Sequence, residues 1–181
     1  MNNLVTILSF SPRNDGNCAA VGNYISKYYK NSRLIVLDGE RIQPCGNCSY
    51  ECLKPEMRCP QLTEEYLNVM DSICRSKLVY FIVPNYCGYP CANYFAFNER
   101  SVGYFNMDQK KMECYMSVSK RFIVISNTEG FENALQQQTN EAPEILYLKS
   151  GKYGKASITG DILESDAARA DLDQFLSCWK P

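Results

Sequence analysis

Five short apolar runs, each stopped by turn chemistry, constrain this chain more than any other feature. They are Leu4 to Phe10, Arg33 to Leu37, Leu78 to Val83, Arg121 to Ser126 and Glu144 to Leu148. Runs of this length and apolarity read as strands buried on both faces. Helix-periodic stretches separate most of them. Val21, Tyr24, Ile25 and Tyr28 fall at i, i+3, i+4 and i+7, and Tyr66, Val69, Met70 and Ile73 repeat that spacing. Glu64 and Glu65 stand in the first turn of the second helix, where they suit its dipole. Ala168, Leu172, Phe175, Leu176 and Trp179 make the stripe of a last helix, with Ser165 as its N-cap. Glu132 to Gln138 is a fainter helical stretch, and Ser101 to Lys120 reads as a helix plus an excursion. Strand–helix alternation of this kind predicts an α/β chain with a doubly wound, five-stranded parallel sheet in three layers. Residues 1–181 are expected to form one domain. In such a sheet ligands bind outside the carboxyl ends of the strands, near a switch in strand order. The loops after the first, third and fourth runs are therefore where chemistry is expected.

Composition narrows the chemistry. The chain has no histidine, which removes Ser-His-Asp and Cys-His catalysis and every His-containing metal site. Net charge is −1, so no electrostatic footprint for nucleic acid or an anionic membrane is present. No apolar run approaches the ~20 residues that span a bilayer. The first run leads straight into a polar loop and has no basic segment before it, so it reads as a strand and not a signal peptide. The expectation is a soluble, cytoplasmic protein. In that setting ten cysteines point to metal, redox or catalytic use more than to structural disulfides.

The first run passes through Ser9-Phe10-Ser11-Pro12-Arg13-Asn14-Asp15-Gly16-Asn17-Cys18 into a helix. Free backbone N–H groups and the helix dipole favour an anion at such a helix start. Ser11 and Asn17 can donate to phosphate oxygens and Arg13 adds charge. The loop has neither the Gly-Lys-Ser/Thr of a P-loop nor the G-x-G-x-x-G of a dinucleotide fold. Residue types alone leave two readings open: a phosphate cradle, or an ordinary capped turn.

Ser11-Pro12-Arg13 followed by Gly16-Asn17 resembles the phosphate loop of NADPH-dependent FMN reductases and iron–sulfur flavoproteins. The likeness continues, in order, through Pro44-Cys45-Gly46-Asn47-Cys48, Val83-Pro84-Asn85-Tyr86-Cys87-Gly88 and Asn98-Glu99-Arg100, and ends with Gly160-Asp161-Ile162-Leu163. It covers nearly the whole chain. It implies a flavodoxin-like fold, bound FMN, NAD(P)H as electron donor, and a homodimer or tetramer. One departure stands out: the family usually has threonine where this chain has Cys18, and a thiol is a poor phosphate donor.

The resemblance places Pro84 to Gly88 against the isoalloxazine ring. Pro84 and Gly88 shape the backbone there, Asn85 offers a polar handle, and Tyr86 offers a ring that packs on flavin. With 13 tyrosines in the chain, Tyr86 alone reads equally as a core residue. Ser126-Asn127-Thr128-Glu129-Gly130 is a second polar loop on the same edge, whose Asn127 and Thr128 are either flavin neighbours or helix caps. The expected cofactor-binding set is thus Ser9, Ser11, Arg13, Gly16, Asn17, Cys18, Pro84, Asn85, Tyr86, Cys87, Gly88, Asn127 and Thr128. No side chain is assigned as a catalytic acid, base or nucleophile. Cys87 reads as a redox neighbour of the flavin or as a small hydrophobe filling space, and Cys74, Cys114 and Cys178 as packing residues.

Cys45, Cys48, Cys52 and Cys59 fall within fifteen residues. Iron–sulfur flavoproteins resemble this, and four thiolates suit a 4Fe–4S cluster. Their usual spacing has two residues between the second and third cysteines, where Ser49-Tyr50-Glu51 here makes three. A zinc site is a second reading, and a loop of free or oxidisable thiols a third. The functional expectation is an FMN-dependent NAD(P)H oxidoreductase that serves a small electron acceptor. Two rivals remain: an iron–sulfur flavoprotein shuttling electrons to a partner protein, and a cofactor-free binding protein with structural zinc.

Overall fold

The computed structural model describes residues 4–38, 42–46, 48–54, 57–128, 131 and 144–179. Strands β1 (Val5–Ser9), β2 (Ser32–Val36), β3 (Leu78–Tyr86), β5 (Ser119–Ile125) and β6 (Glu144–Leu148) form a parallel sheet in the order β2-β1-β3-β5-β6. The strands fall on the five apolar runs, and the architecture is the expected doubly wound one. A two-residue strand, β4 (Tyr89–Pro90), adds an antiparallel hairpin to the end of β3. Strand β3 outruns the end expected at Val83. It runs on to Tyr86 because Asn85 and Tyr86 find partners in Pro90 and Tyr89.

Alternation along β3 explains the three layers. Val79, Phe81 and Val83 belong to one apolar cluster, with Phe10, Tyr66, Met70, Tyr94 and Phe97. Leu78, Tyr80 and Ile82 belong to the other, with Val21, Ile25, Leu172 and Leu176. Side chains of a strand point to opposite faces, so one central strand supplies both cores. Helices α1 (Asn17–Tyr28) and α5 (Asp166–Ser177) cover the second face; α2 (Glu64–Cys74) and α3 (Ala92–Phe105) cover the first, with α4 (Gln109–Ser117) beside them. The Ser165 hydroxyl accepts from Ala168 N–H, which makes it the N-cap of α5. The stretch 101–120 resolves into the end of α3, all of α4 and the start of β5. The helical candidate 132–138 lies outside the described residues.

Strand order reverses between β1 and β3: the chain steps outward from β1 to β2, then crosses β1 to lay down β3. The carboxyl ends of β1, β3 and β5 lie side by side there, which is where an open α/β sheet leaves its crevice. Among the described residues no helix is long and apolar enough to cross a membrane.

A candidate cofactor cleft at the strand reversal

A cleft of about 260 Å³ opens at this reversal. Its walls come from the β1–α1 loop (Ser11, Arg13, Gly16, Asn17, Cys18), the end of β3 (Pro84, Asn85, Tyr86, Cys87), the end of β5 and its loop (Ile125 to Thr128), and the segment Ser157–Ile158. Eleven of the thirteen residues expected from sequence line it. Ser9 lies beneath, fully buried in β1, and Gly88 stands behind in the hairpin turn. The polar second half of the expected Ser126–Gly130 loop is described only as far as Thr128.

Helix α1 starts at the mouth of this cleft. Its N-cap is Gly16, which offers no side-chain cap, and the first intrahelical bond seen there is Ala20 N–H to Gly16 C=O. The N–H groups of the first turn therefore lack a helical partner, and they carry the positive end of the helix dipole. Arg13 is the only charged residue on the cleft wall among the described residues. It is half exposed and held by Asp15, with Nε 3.2 Å from Oδ1. That guanidinium keeps the Asp15 carboxyl below its usual range. No protein partner holds the Ser11 hydroxyl among the described residues. Together these groups make a seat for an anion.

Asn17 departs from the sequence reading. Its Nδ2 donates to the carbonyls of Ala156 and Ser157, both at 3.1 Å, and its Oδ1 accepts from Ile162 N–H at 3.1 Å. The side chain is fully used as a clasp to the 156–162 segment, so only its backbone N–H is left for an anion. Gly160 completes the joint. Its φ is +73°, and a Cβ there would meet the Asp15 carbonyl oxygen at 2.2 Å, so the two loops approach backbone to backbone. Asn127 is likewise committed, donating to Ser157 Oγ at 2.8 Å and accepting from Gly151 N–H at 2.8 Å. Thr128 accepts from Gly88 N–H at 3.1 Å and shares its hydroxyl with Ser126. These residues build the cleft's frame instead of reaching into it. The Ser157–Ile158 wall was missed, although Gly160 to Leu163 beside it carried part of the resemblance.

Cys18 is buried, and burial pushes its thiol up to about 12. It stays a protonated thiol, and its backbone N–H is the group it can offer. Cys87 is not a buried filler: it is exposed in the hairpin turn, at φ +53° followed by Gly88 at +85°. Two consecutive positive φ values are those of a type I′ turn, whose twist matches a tight hairpin. Tyr86 and Tyr89 are both exposed on this hairpin. Asn85 is buried behind it, with Nδ2 on Thr128 C=O at 3.2 Å and Oδ1 without a partner among the described residues. A buried amide oxygen left unpaired costs free energy, and Asn85 is among the residues that line the cleft. A helix start with free N–H groups beside Ser11 and Arg13, opening onto this cleft, suits a ligand that carries a phosphate.

The cysteine loop lies elsewhere, against α3. Arg100, buried in α3, donates to Gln43 C=O, Pro44 C=O, Gln61 Oε1 and, at 3.8 Å, to Cys59 Sγ. Glu99 accepts from Cys45 N–H at 3.0 Å. A Cβ at Gly103 would stand 2.8 Å from Cys59 Cβ, so a glycine is what lets the loop dock. Cys45 is exposed, Cys48 and Cys52 half-buried, Cys59 buried. Burial first, then the neighbouring Cys59, Cys48 and Cys45, raise the Cys52 thiol. Among the described residues no three metal-ligating side chains converge on one point. Cys114 and Cys178, expected as packing residues, are exposed.

Fold and cleft together define a flavodoxin-like protein: a five-stranded parallel sheet with its crevice at the β1/β3 reversal. Among solved structures with this fold are the Trp repressor binding protein from Bacillus subtilis (TM-score 0.62, 14% identity, 94% of this chain and 97% of that one) and FerB, a flavoenzyme NAD(P)H:(acceptor) oxidoreductase from Paracoccus denitrificans (TM-score 0.56, 14% identity, 97% and 96%). An NADH:FMN oxidoreductase in its apo form aligns with TM-score 0.51 at 8% identity over 99% of this chain and 91% of that one. No family profile and no curated protein sequence matches the chain.

Proposed function

We propose that this chain is an FMN-dependent oxidoreductase that takes reducing equivalents from NAD(P)H and passes them to a small acceptor. The observation that carries the reading is the uncapped start of α1, which opens with Ser11 and Arg13 onto the cleft at the strand reversal. The backbone N–H groups of Asn17 and Cys18, the Ser11 hydroxyl and the Arg13 guanidinium would hold the phosphate. Asn85, Tyr86 and Cys87 would border the ring, with the spare Asn85 Oδ1 as an acceptor for a ring N–H. When bound, the flavin supplies two-electron hydride acceptance from a dihydronicotinamide, and the protein supplies binding and orientation.

The chain's own part is consistent with that division. Arg13 is the one charged residue lining the cleft among the described residues, so no carboxylate stands ready as a general acid or base. The cleft opens to solvent, which serves as proton source and sink. The Arg13 charge also favours an anionic cofactor over its neutral dephosphorylated form. Two of the neighbours with this fold are named as NAD(P)H- or NADH-dependent flavin enzymes, which supports the same chemistry here.

The test is reconstitution of the purified chain with FMN, FAD and riboflavin, followed by NADH or NADPH oxidation with ferricyanide or a quinone. The expected order is FMN above riboflavin, with FAD no better than FMN. Absence of FMN binding under all conditions overturns the proposal.

A further inference from the structure

The foot of the sheet, at the amino ends of the strands and away from the cleft, carries a second group of reactive side chains. Cys74 is the last residue of α2 and Cys114 lies in α4. The Cys114 Sγ donates to the Cys74 carbonyl oxygen at 3.8 Å, and the Cys74 Sγ stands 4.0 Å from the Tyr104 hydroxyl. Cys114 is exposed and Cys74 half-buried. The buried Lys120 ammonium, held by the carbonyls of Tyr115 and Val118, completes the group.

We propose that Cys74 and Cys114 are a redox dithiol that closes to an intramolecular disulfide when the protein meets hydrogen peroxide. Geometry and mobility both favour closure. A disulfide asks for two Cβ atoms about 4 Å apart, and the Cys114 sulfur already lies against residue 74, 3.8 Å from its carbonyl oxygen. Helix α4 buries only Tyr115, so it can shift the remaining distance at little packing cost. By contrast Cys18 and Cys91 are sealed in the core.

The chemistry runs in two steps. The Cys114 sulfur attacks peroxide; its S–O bond forms as the O–O bond breaks, and the departing hydroxide leaves as water with the Cys114 proton. The Cys74 sulfur then attacks the Cys114 sulfenic acid; the S–S bond forms and the sulfenic oxygen leaves as a second water with the Cys74 proton. Two thiol sulfurs are oxidised and one peroxide is reduced to two waters. Cys114 is assigned the first step because it is the exposed member, and Cys74 the second because it waits beside it. Burial first, then the neighbouring Cys114, raises the Cys74 thiol, so it stays protonated until it gives up its proton in attacking the adjacent sulfenic acid.

The inference is independent of any bound cofactor. The crosslink closes a loop of 40 residues between an anchored helix and a loosely held one. Closing such a loop restricts the unfolded chain more than the native one.

Full-length protein, reduced and desalted without oxygen, is treated with a small excess of hydrogen peroxide, quenched, alkylated in denaturant and peptide-mapped. The expected product is a Cys74–Cys114 peptide pair, lighter by two hydrogen atoms than the free thiols and released by dithiothreitol. Its formation should slow amide exchange in α4 and raise the melting temperature by several degrees. Cys114→Ser and Cys74→Ser should each abolish the crosslinked pair. Recovery of Cys114 as a sulfinic acid with Cys74 still alkylatable overturns the proposal. So does either cysteine joined to a different thiol. If one serine variant fails to fold, the wild-type peptide map still decides.

Discussion

Replacing Gly160 with alanine tests whether the two loops of the anion seat are locked together. The added Cβ would lie 2.2 Å from the Asp15 carbonyl oxygen and 3.1 Å from its carbon, about 1 Å short of ordinary contact. The obstacle is backbone, so no side-chain rotation relieves it. The residue also sits at φ +73°, where a non-glycine residue costs roughly 1–2 kcal/mol. To make room the 156–162 segment must lift from the Asp15–Gly16 turn. That weakens the Asn17 bonds to Ala156, Ser157 and Ile162, each worth about 0.5–1.5 kcal/mol net. The total is roughly 2–5 kcal/mol, which for a chain of this size lowers the melting temperature by roughly 5–15 °C. The assay is thermal denaturation of the apoprotein, followed by titration with FMN and with riboflavin. Affinity for FMN should fall further than affinity for riboflavin, because the displaced wall borders the phosphate side. A variant that melts with the wild type and binds FMN unchanged refutes the locked-loop argument.

Three further outcomes are expected. Arg13→Ala should weaken FMN about tenfold or more while leaving riboflavin nearly unaffected, as for loss of one charge-assisted hydrogen bond; equal losses would remove Arg13 from the phosphate. Arg100→Leu should free residues 43–61 from α3, seen as faster proteolysis within that loop than elsewhere in the chain; unchanged cleavage would show that Glu99 and Gln61 suffice. For Lys120, burial lowers the ammonium from the usual 10.5 to about 8. Between those values the unfolded chain holds more protons than the native one, so this residue makes stability rise with pH across that window and fall as pH drops through about 8. A difference of that size is worth about 3 kcal/mol. Lys120→Met should therefore recover stability relative to wild type at pH 7 more than at pH 10, by denaturant unfolding at both; parallel pH curves would contradict the assignment.

How far the sequence could be read follows from where its signals are local. The five strands show in the sequence as unbroken apolar runs, and the α1, α2 and α5 stripes because each repeats an apolar residue at helical period. Helix α3 does not announce itself in this way: Tyr94, Phe97 and Tyr104 face the core, but Arg100 interrupts their stripe. Its burial makes sense only once the carbonyls of Gln43 and Pro44 are in place around it. Helix α4 buries a single side chain, so its periodicity is nearly silent. At the cleft, eleven of the thirteen expected positions line the wall because a strand end fixes its loop. The roles of Asn17, Asn127 and Thr128 were not legible. A polar side chain beside a helix start looks the same whether it faces a ligand or clasps a segment far along the chain. Ser157 and Ile158 had no local signal, since nothing in their own neighbourhood indicates a partner more than a hundred residues away.

The Asn17 clasp sets an order of events. Its three partners lie 139, 140 and 145 positions further along the chain, beyond the last strand of the sheet. During synthesis the Ser11–Cys18 loop emerges before its opposing wall and waits for it until the segment that follows β6 has been made. If the proposed function holds, capture of an anionic cofactor waits on that docking, and occupancy would report that the 156–162 segment is in place. The energy of that capture then falls on the entire polypeptide, since a ligand that recognises only the finished state stabilises it in proportion to the logarithm of its concentration. Chains damaged anywhere between the first strand and the last helix would be the ones left empty.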